Sequence, residues 1–489
     1  MTTRDRNRWI ALYVLCAGML MIVLDITIVN VALPTIQDEL GFSQNSLAWV
    51  VNAYLITFGG LLLLSGRFGD ILGRRDVFLA GLAVFTVASA LCGFAQTQEM
   101  LVGARFLQGI GGAMTSAVIL GMIVTMFPER REQAKAIGVY AFVASGGGTV
   151  GLLLGGILTE SISWHWIFFV NVPIAIVTAL LSMRLLERDR GIGFGGGADV
   201  AGALLITSSL MLGVYTIVKP AADLGWGAPE TLALSAASLA LLAGFIAREA
   251  RTDNPLIPLD VFRSRNLTGA NVIQVLSVPG MFGMFFLGSL YLERVLGYNA
   301  LEIGLAFVPV CVIMGTLSVR YTEPLVMRFG AKPMVILGMA FIVAGLLLFT
   351  QAPVNGAYVS DVLAPMVLFG AGAGLAFPAL MTVAMSGVTP EEAGLASGLV
   401  NTSAQVGGAL GLAVLATLSA SHSKNLIADG EATASALTSG YHLAFVVGAA
   451  LVTAAIVVAV KVVESVEPEL EVVAEPADAG EQPAYGEAA

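Results

Sequence analysis

An all-α polytopic membrane protein is the fold class this 489-residue sequence predicts, with fourteen spanning helices arranged as two six-helix halves and an inserted two-helix hairpin. Three observations lead there. Hydrophobic residues make up 57% of the chain and charged residues 12%, against roughly 25% charged in a soluble globular protein. Lysine and arginine fall almost entirely on one side of the expected spans. Sparse glycine landmarks recur at a nearly constant offset.

The spans follow from hydropathy, since crossing a bilayer takes roughly 20 apolar residues. They are placed at 9–31, 46–66, 76–95, 98–124, 134–158, 166–186, 198–218, 229–247, 267–292, 302–321, 333–352, 361–384, 394–418 and 440–461. Uniformly apolar runs, rather than alternating ones, make them helices. The basic start "MTTRDRNRW" leads into an apolar run too long for a cleaved signal peptide, so it is read as the first helix. With the N-terminus inside, every Lys and Arg lies on the cytoplasmic side except Lys219, Arg294, Lys424 and the intramembrane Arg105. The expectation is a multi-pass protein of the cytoplasmic membrane with both termini cytoplasmic. Cys16, Cys92 and Cys311 fall inside spans and form no disulfide framework or metal-ligand spacing. The net charge of −10 owes most to the tail after Lys461, whose acidic residues and prolines read as disorder.

The repeat shows in the glycines. Gly138, Gly147 and Gly151 in the fifth span match Gly398, Gly407 and Gly411 in the thirteenth, and each set follows a Pro-Glu loop (Pro128-Glu129 and Pro390-Glu391). Gly109 matches Gly370, Gly73 matches Gly330 and Gly41 matches Gly297, at offsets of 261, 257 and 256 residues against 260 for the first set. Parallel six-helix repeats of this kind are related by an axis along the membrane normal, with the binding site between them. The expected division is 1–190 for the first half, 191–250 for the hairpin, 251–463 for the second half and 464–489 for a disordered acidic tail. The halves differ in charge. Asp25 aligns near Met281, Asp70 with Met327 and Arg105 near Met366, so ion handling is expected in the first half.

Asp25 stands in the apolar run "GMLMIVLDITIVNVALP". A carboxylate at bilayer depth costs a few kcal/mol or more and is a functional suspect by default. Counting along the first and fourth spans puts Asp25 and Arg105 at one depth, roughly 10 Å below the outer boundary at 1.5 Å per residue. A pair would hold Asp25 ionised, and separation would invite a proton. The alternative is a static ion pair that sets helix register.

The short loop "GRFGDILGRR", residues 66–75, offers a conformational latch: Gly66 and Gly73 for the turn, Asp70 as acceptor, Arg74 and Arg75 as donors. In "GVYAFVASGGGTVGLLLGGIL", Gly147, Gly151 and Gly155 lie four apart on one helical face, with Gly156 beside them, a spacing that lets helix backbones touch. That face is expected to form a seam between the halves. Asn30, Asn52, Tyr54, Asn401 and Gln405 are candidates for lining a substrate cavity. No HExxH, GxSxG or CxxC pattern occurs, so no catalytic residue, metal site or enzyme activity is predicted.

These stretches together resemble the fourteen-helix drug:proton antiporters of the major facilitator superfamily, over nearly all of residues 9–461. "LDITIVNVALP" (24–34) is similar to the family's first-helix motif, with Asp25, Asn30 and Pro34 in place. "GRFGDILGRR" resembles the superfamily loop motif, and "RFLQG" (105–109) the fourth-helix motif in which Arg and Gln serve proton coupling. Gly138, Gly147, Gly151, Gly155 and Gly156 fit the fifth-helix antiporter motif, and "WHWIFFVNVP" (164–173) the opening of helix six. Leu152, Ile71, Ala404 and His165 depart from residues common in relatives, as does Met327 in the second-half loop. The resemblance implies alternating access and export of small amphipathic compounds against inward proton flow, with Asp25, Arg105 and Gln108 in proton coupling. It implies no cofactor beyond the proton gradient. The expected partners are a small-molecule substrate, protons and the lipid bilayer, with no nucleic acid and the oligomeric state open. The alternatives are a dedicated exporter of one endogenous metabolite and a non-transporting membrane sensor or scaffold.

Overall fold

The computed structural model describes residues 3–127, 129–189, 191, 193, 199–252, 255–257, 259–386, 388 and 393–465. Pro128, Pro390, Glu391, the surroundings of Gly138 and tail residues 466–489 lie outside the described residues. The chain forms α1 (Thr3–Leu40), α2 (Gln44–Leu72), α3 (Arg74–Gly93), α4 (Gln98–Met126), α5 (Arg130–Ser161) and α6 (Trp166–Leu185, broken at Val170). The hairpin α7 (Val200–Val218) and α8 (Pro229–Glu249) follows. The second set is α9 (Arg265–Arg294), α10 (Ala300–Phe329), α11 (Ala331–Phe349), α12 (Tyr358–Met385), α13 (Ala393–Ala428) and α14 (Thr433–Lys461). Among the described residues thirteen of these are long and apolar enough to cross a membrane; in α5, 32 residues long, the described apolar stretch is Val150–Ser161.

Helix ends are set by local chemistry. Ser43 and Thr97 accept backbone N–H groups from Ser46 and Met100 at 3.1 and 3.2 Å, capping α2 and α4. Asn299 and Glu302 form a reciprocal capping box on α10. Four of the glycines with positive φ recur in pairs between the halves: Gly41 (69°) and Gly297 (74°) after the first helix of each half, Gly73 (101°) and Gly330 (86°) after the second.

The two sets pack alike. α1 packs on α5 as α9 packs on α13, α3 on α4 as α11 on α12, and α3 on α6 as α11 on α14. The halves meet through two equivalent crossings, α2 on α13 and α5 on α10. Close approach at the α3–α4 and α11–α12 crossings needs glycine: a Cβ on Gly111 would lie 2.8 Å from Gly81 O, and one on Gly372 2.5 Å from Gly338 O. The hairpin stands outside. α7 leans on α2 and α13, where Gly60 faces Thr207 and Gly213 faces Leu410, while most of α8 is exposed on the rim.

The halves are bolted together at the end where α1 stops and α10 begins. Arg294 Nη2 donates to Asp38 Oδ1 at 2.5 Å, joining α9 to α1. A Cβ on Gly156 would sit 2.8 Å from Ala300 O, and one on Gly304 2.7 Å from Leu152 O, so α5 and α10 touch backbone to backbone there.

Candidate functional site

Asp25 and Arg105 meet as the depth count anticipated. They are 0% and 1% exposed, and Arg105 Nη1 donates to Asp25 Oδ2 at 2.5 Å. A buried charge pair is tolerable only when its remaining hydrogen-bonding capacity is filled, and the neighbouring helices do this. Gln108, one turn after Arg105 on α4, donates Nε2–H to Asp25 Oδ1 at 2.7 Å and accepts from Arg105 Nη1 at 2.8 Å. Asn171, on α6 just after its break, donates Nδ2–H to the same Asp25 oxygen at 3.0 Å. Arg105 Nε donates to Val50 O of α2 at 2.9 Å, and its guanidinium lies 4.5 Å from the Tyr54 ring centroid. Ser89 of α3 accepts from Gln108 and Asn171 at 3.2 and 3.1 Å and donates to Phe168 O at 2.8 Å. Cys92, one turn further, faces Gln108 Oε1 at 3.6 Å. Side chains from α1, α3, α4 and α6, with the α2 backbone, thus surround one carboxylate in a water-poor core.

Asn171 and Ser89 were not among the sequence candidates. Asn171 lies in the quoted "WHWIFFVNVP", where an amide inside an apolar helix start was the available signal. Ser89 left no signal, because small residues in spanning helices serve packing as readily as bonding.

The 66–75 stretch is not the loop expected: α2 continues to Leu72 and α3 starts at Arg74, so Gly66 and Asp70 lie on helix because only Gly73 takes the positive φ of the turn. The stretch is tied down within the first half. Arg74 bonds Asp70 Oδ1 at 3.2 Å, and Gly121 O and Thr125 Oγ1 of α4 at 3.0 Å each. Asp189, beyond α6, accepts the backbone N–H groups of Arg74 and Arg75 at 2.8 and 3.3 Å, placing a carboxylate on the positive end of α3. Arg75 reaches Met183 O at 2.6 Å. Gly73 packs against Asp189, and the space around Gly66 is open.

The α5 glycines correct one expectation. Gly147, Gly151 and Gly155 face α1 of the same half, against Val23, Leu24 and Ile28. The contact with the other half comes from Gly156 and Leu152. A four-residue spacing keeps one face, and that face is taken by α1; the next residue, rotated by about 100° at 3.6 residues per turn, points across the interface.

The five cavity candidates divide. Asn30 is buried and donates to Ile26 O of its own helix at 3.0 Å. Asn52 and Tyr54 are fully buried, their amide and hydroxyl without hydrogen-bond partners among the described residues, and the Tyr54 ring belongs to the Asp25 cluster. Asn401 and Gln405 are half-buried on α13, with Gln405 against Gly59 of α2.

Two six-helix sets, the first of which buries an ionic cluster, make the architecture of a polytopic membrane protein. The Major Facilitator Superfamily model matches residues 15–412, and the chain belongs to that family. It is 38% identical over 458 residues to the puromycin resistance protein pur8 of Streptomyces alboniger, covering 92% of this chain and 90% of that protein. It is 38% identical over 423 residues to the cephamycin export protein CmcT of Amycolatopsis lactamdurans, covering 86% and 87%. In fold it is similar to a bacterial homolog of the human lysosomal transporter Spinster, in an inward-facing and unoccupied conformation, with TM-score 0.66, 15% identity and 93% and 96% of the two chains covered. The human organic anion transporter MFSD10 aligns with TM-score 0.60 at 16% identity, covering 92% and 100%. The chain is a transporter rather than an enzyme.

Proposed function

We propose that the protein exports small amphipathic compounds of the antibiotic and drug class across the cytoplasmic membrane in exchange for protons, by alternating access between its halves. The observation that carries this is the buried Asp25, held by Arg105, Gln108 and Asn171 in a chain whose relatives are named for antibiotic resistance and export. Asp25 is the proton carrier, and Arg105 and Gln108 are its coupling partners. With Arg105 in contact the carboxylate is paired; a conformational change that withdraws Arg105 from Asp25 leaves a desolvated acid that takes up a proton. For an uncharged substrate the potential supplies roughly 2.3 kcal/mol per charge per 100 mV, more than the roughly 1.4 kcal/mol that a tenfold uphill gradient needs. For a monovalent cation exchanged one for one, the pH difference is the drive. The Gly73 loop braces the first half as a unit, and the Arg294–Asp38 contact closes the outer end. Asn401 and Gln405 line the substrate path, and both termini are cytoplasmic.

Reconstitution into liposomes with an imposed pH gradient tests this. Gradient-driven movement of a fluorescent cationic dye or of puromycin is expected, and loss of coupling in Asp25→Asn. A variant that still accumulates substrate on the gradient rules Asp25 out as the carrier. The two relatives above, each named for a single antibiotic, favour a narrower second reading: one dedicated substrate. A tolerance panel in an efflux-deficient host separates broad from narrow export.

A further inference from the structure

The inserted hairpin holds a buried acid pair of its own. Asp199 caps α7 and Glu249 ends α8, so antiparallel packing brings them side by side. They are 5% and 4% exposed. Asp199 Oδ1 accepts from Gly202 N at 2.8 Å and from Arg248 Nε at 2.7 Å. Glu249 Oε2 accepts from Ile257 N at 2.8 Å, in the connector that leads to α9. Each acid keeps one buried oxygen, Asp199 Oδ2 and Glu249 Oε1, that no donor reaches among the described residues. The two oxygens converge on Gly202, at 2.5 and 3.0 Å from the position of a Cβ there.

Two facing carboxylate oxygens without donors are costly in a buried corner, and one proton between them turns a repulsion into a hydrogen bond. Among the described residues the cation bonded to the pair is Arg248, engaged by the other oxygen of Asp199; Arg251 lies beside Arg248 just past the end of α8. α2 presents Leu61, Leu64 and Phe68 to this corner, and the connector adds Leu256 and Ile257. α13 meets α7 further along, at Gly213 and Ile217.

We propose that Asp199 and Glu249 form a proton-binding site distinct from Asp25, holding one proton between Asp199 Oδ2 and Glu249 Oε1 near neutral pH. The pair sits at the end of the bundle that carries the Gly73 turn, to which Gly191, eight residues before Asp199, is packed. Protonated, it ties the start of α7 to the end of α8 and, through Ile257 N, to the entry of the second half. Deprotonated, the carboxylates repel and the hold on the connector weakens. Stability from a proton retained by the folded state is present at low pH and lost as pH rises.

Infrared spectroscopy of the full-length protein in lipid nanodiscs tests the site without a transport assay. At neutral pH the wild-type minus Glu249→Gln difference spectrum is expected to show one protonated-carboxyl band, which survives in an Asp25→Asn background and disappears on raising the pH. Asp199→Asn, which keeps an acceptor for Gly202 N, is expected to lose the same band. A difference spectrum showing only loss of an ionised carboxylate, or a band that vanishes with Asp25→Asn, overturns the proposal. Thermal unfolding gives a second measurement. An amide in place of the second carboxyl has no proton to lose, so Glu249→Gln is expected to lose less stability than wild type as pH rises above neutral; identical pH dependence in both overturns the proposal.

Discussion

The two halves share a scaffold and differ in charge. The glycines at the α3–α4 and α11–α12 crossings do the same work, and Gly109 seats against Tyr54 O of α2 as Gly370 seats against Val310 O of α10. Yet where the first half buries Arg105 among polar partners, the second buries Met366, 0% exposed, among apolar ones. Asp70 pairs with Arg74, whereas Met327 is exposed beside an Arg328 that lies over the Phe329 ring. α2 is unbroken, whereas α10 carries a π-helical stretch at Leu317–Tyr321. Backbone packing therefore sets the repeat, and the buried Asp25–Arg105 pair of the first half has no ionic counterpart at Met281 and Met366 of the second. A π-helical turn widens the backbone locally and often marks a place where function tolerates irregularity.

The sharpest way to break this contrast is to give the first half the residues of the second. Arg105→Met leaves Asp25 buried without its cation and is expected to cost about 3–5 kcal/mol, read as loss of thermal stability in detergent. The double variant Asp25→Met/Arg105→Met removes both charges and is expected to recover most of that stability while gradient-driven transport stays abolished. A single variant as stable as wild type would show that the pair is not a buried ionic unit. Next, Gly111→Leu and Gly372→Leu test the shared scaffold. Each forces a side chain into backbone contact and is expected to destabilise by about 1–3 kcal/mol, to similar extents in the two halves. Unequal losses would mean that the crossings are not equivalent.

Smaller effects sharpen the picture at the periphery. Asp38→Asn removes a half-exposed ion pair worth about 0–1 kcal/mol. Its main effect is expected in access, as faster modification of Leu301→Cys by a membrane-impermeant thiol reagent; an unchanged rate would remove Arg294–Asp38 from the closure. Asp70→Asn breaks another exposed pair and is expected to change stability by less than about 1 kcal/mol, because Arg74 keeps its bonds to Gly121 O and Thr125. A larger loss would make Asp70 a main support of the first half.

Hydropathy and glycine spacing were enough to place the spanning helices and their repeat, because each depends on neighbours within one helix or on a rule about the bilayer. Asp25 and Arg105 were legible as partners for a related reason: depth follows from counting along an apolar run. Asp189, Asn171 and Ser89 were not legible. Their roles come from helices crossing at angles and rotations that residue counting leaves open. The same holds for the α5 glycines, whose common face was evident from spacing while its occupant, α1, was not. The Asp199–Glu249 corner extends the point, since fifty residues separate two acids that share one buried space. One-dimensional periodicity specifies which face of a helix is special, whereas the partner for that face is selected by packing the whole bundle, where small side chains decide how closely backbones approach.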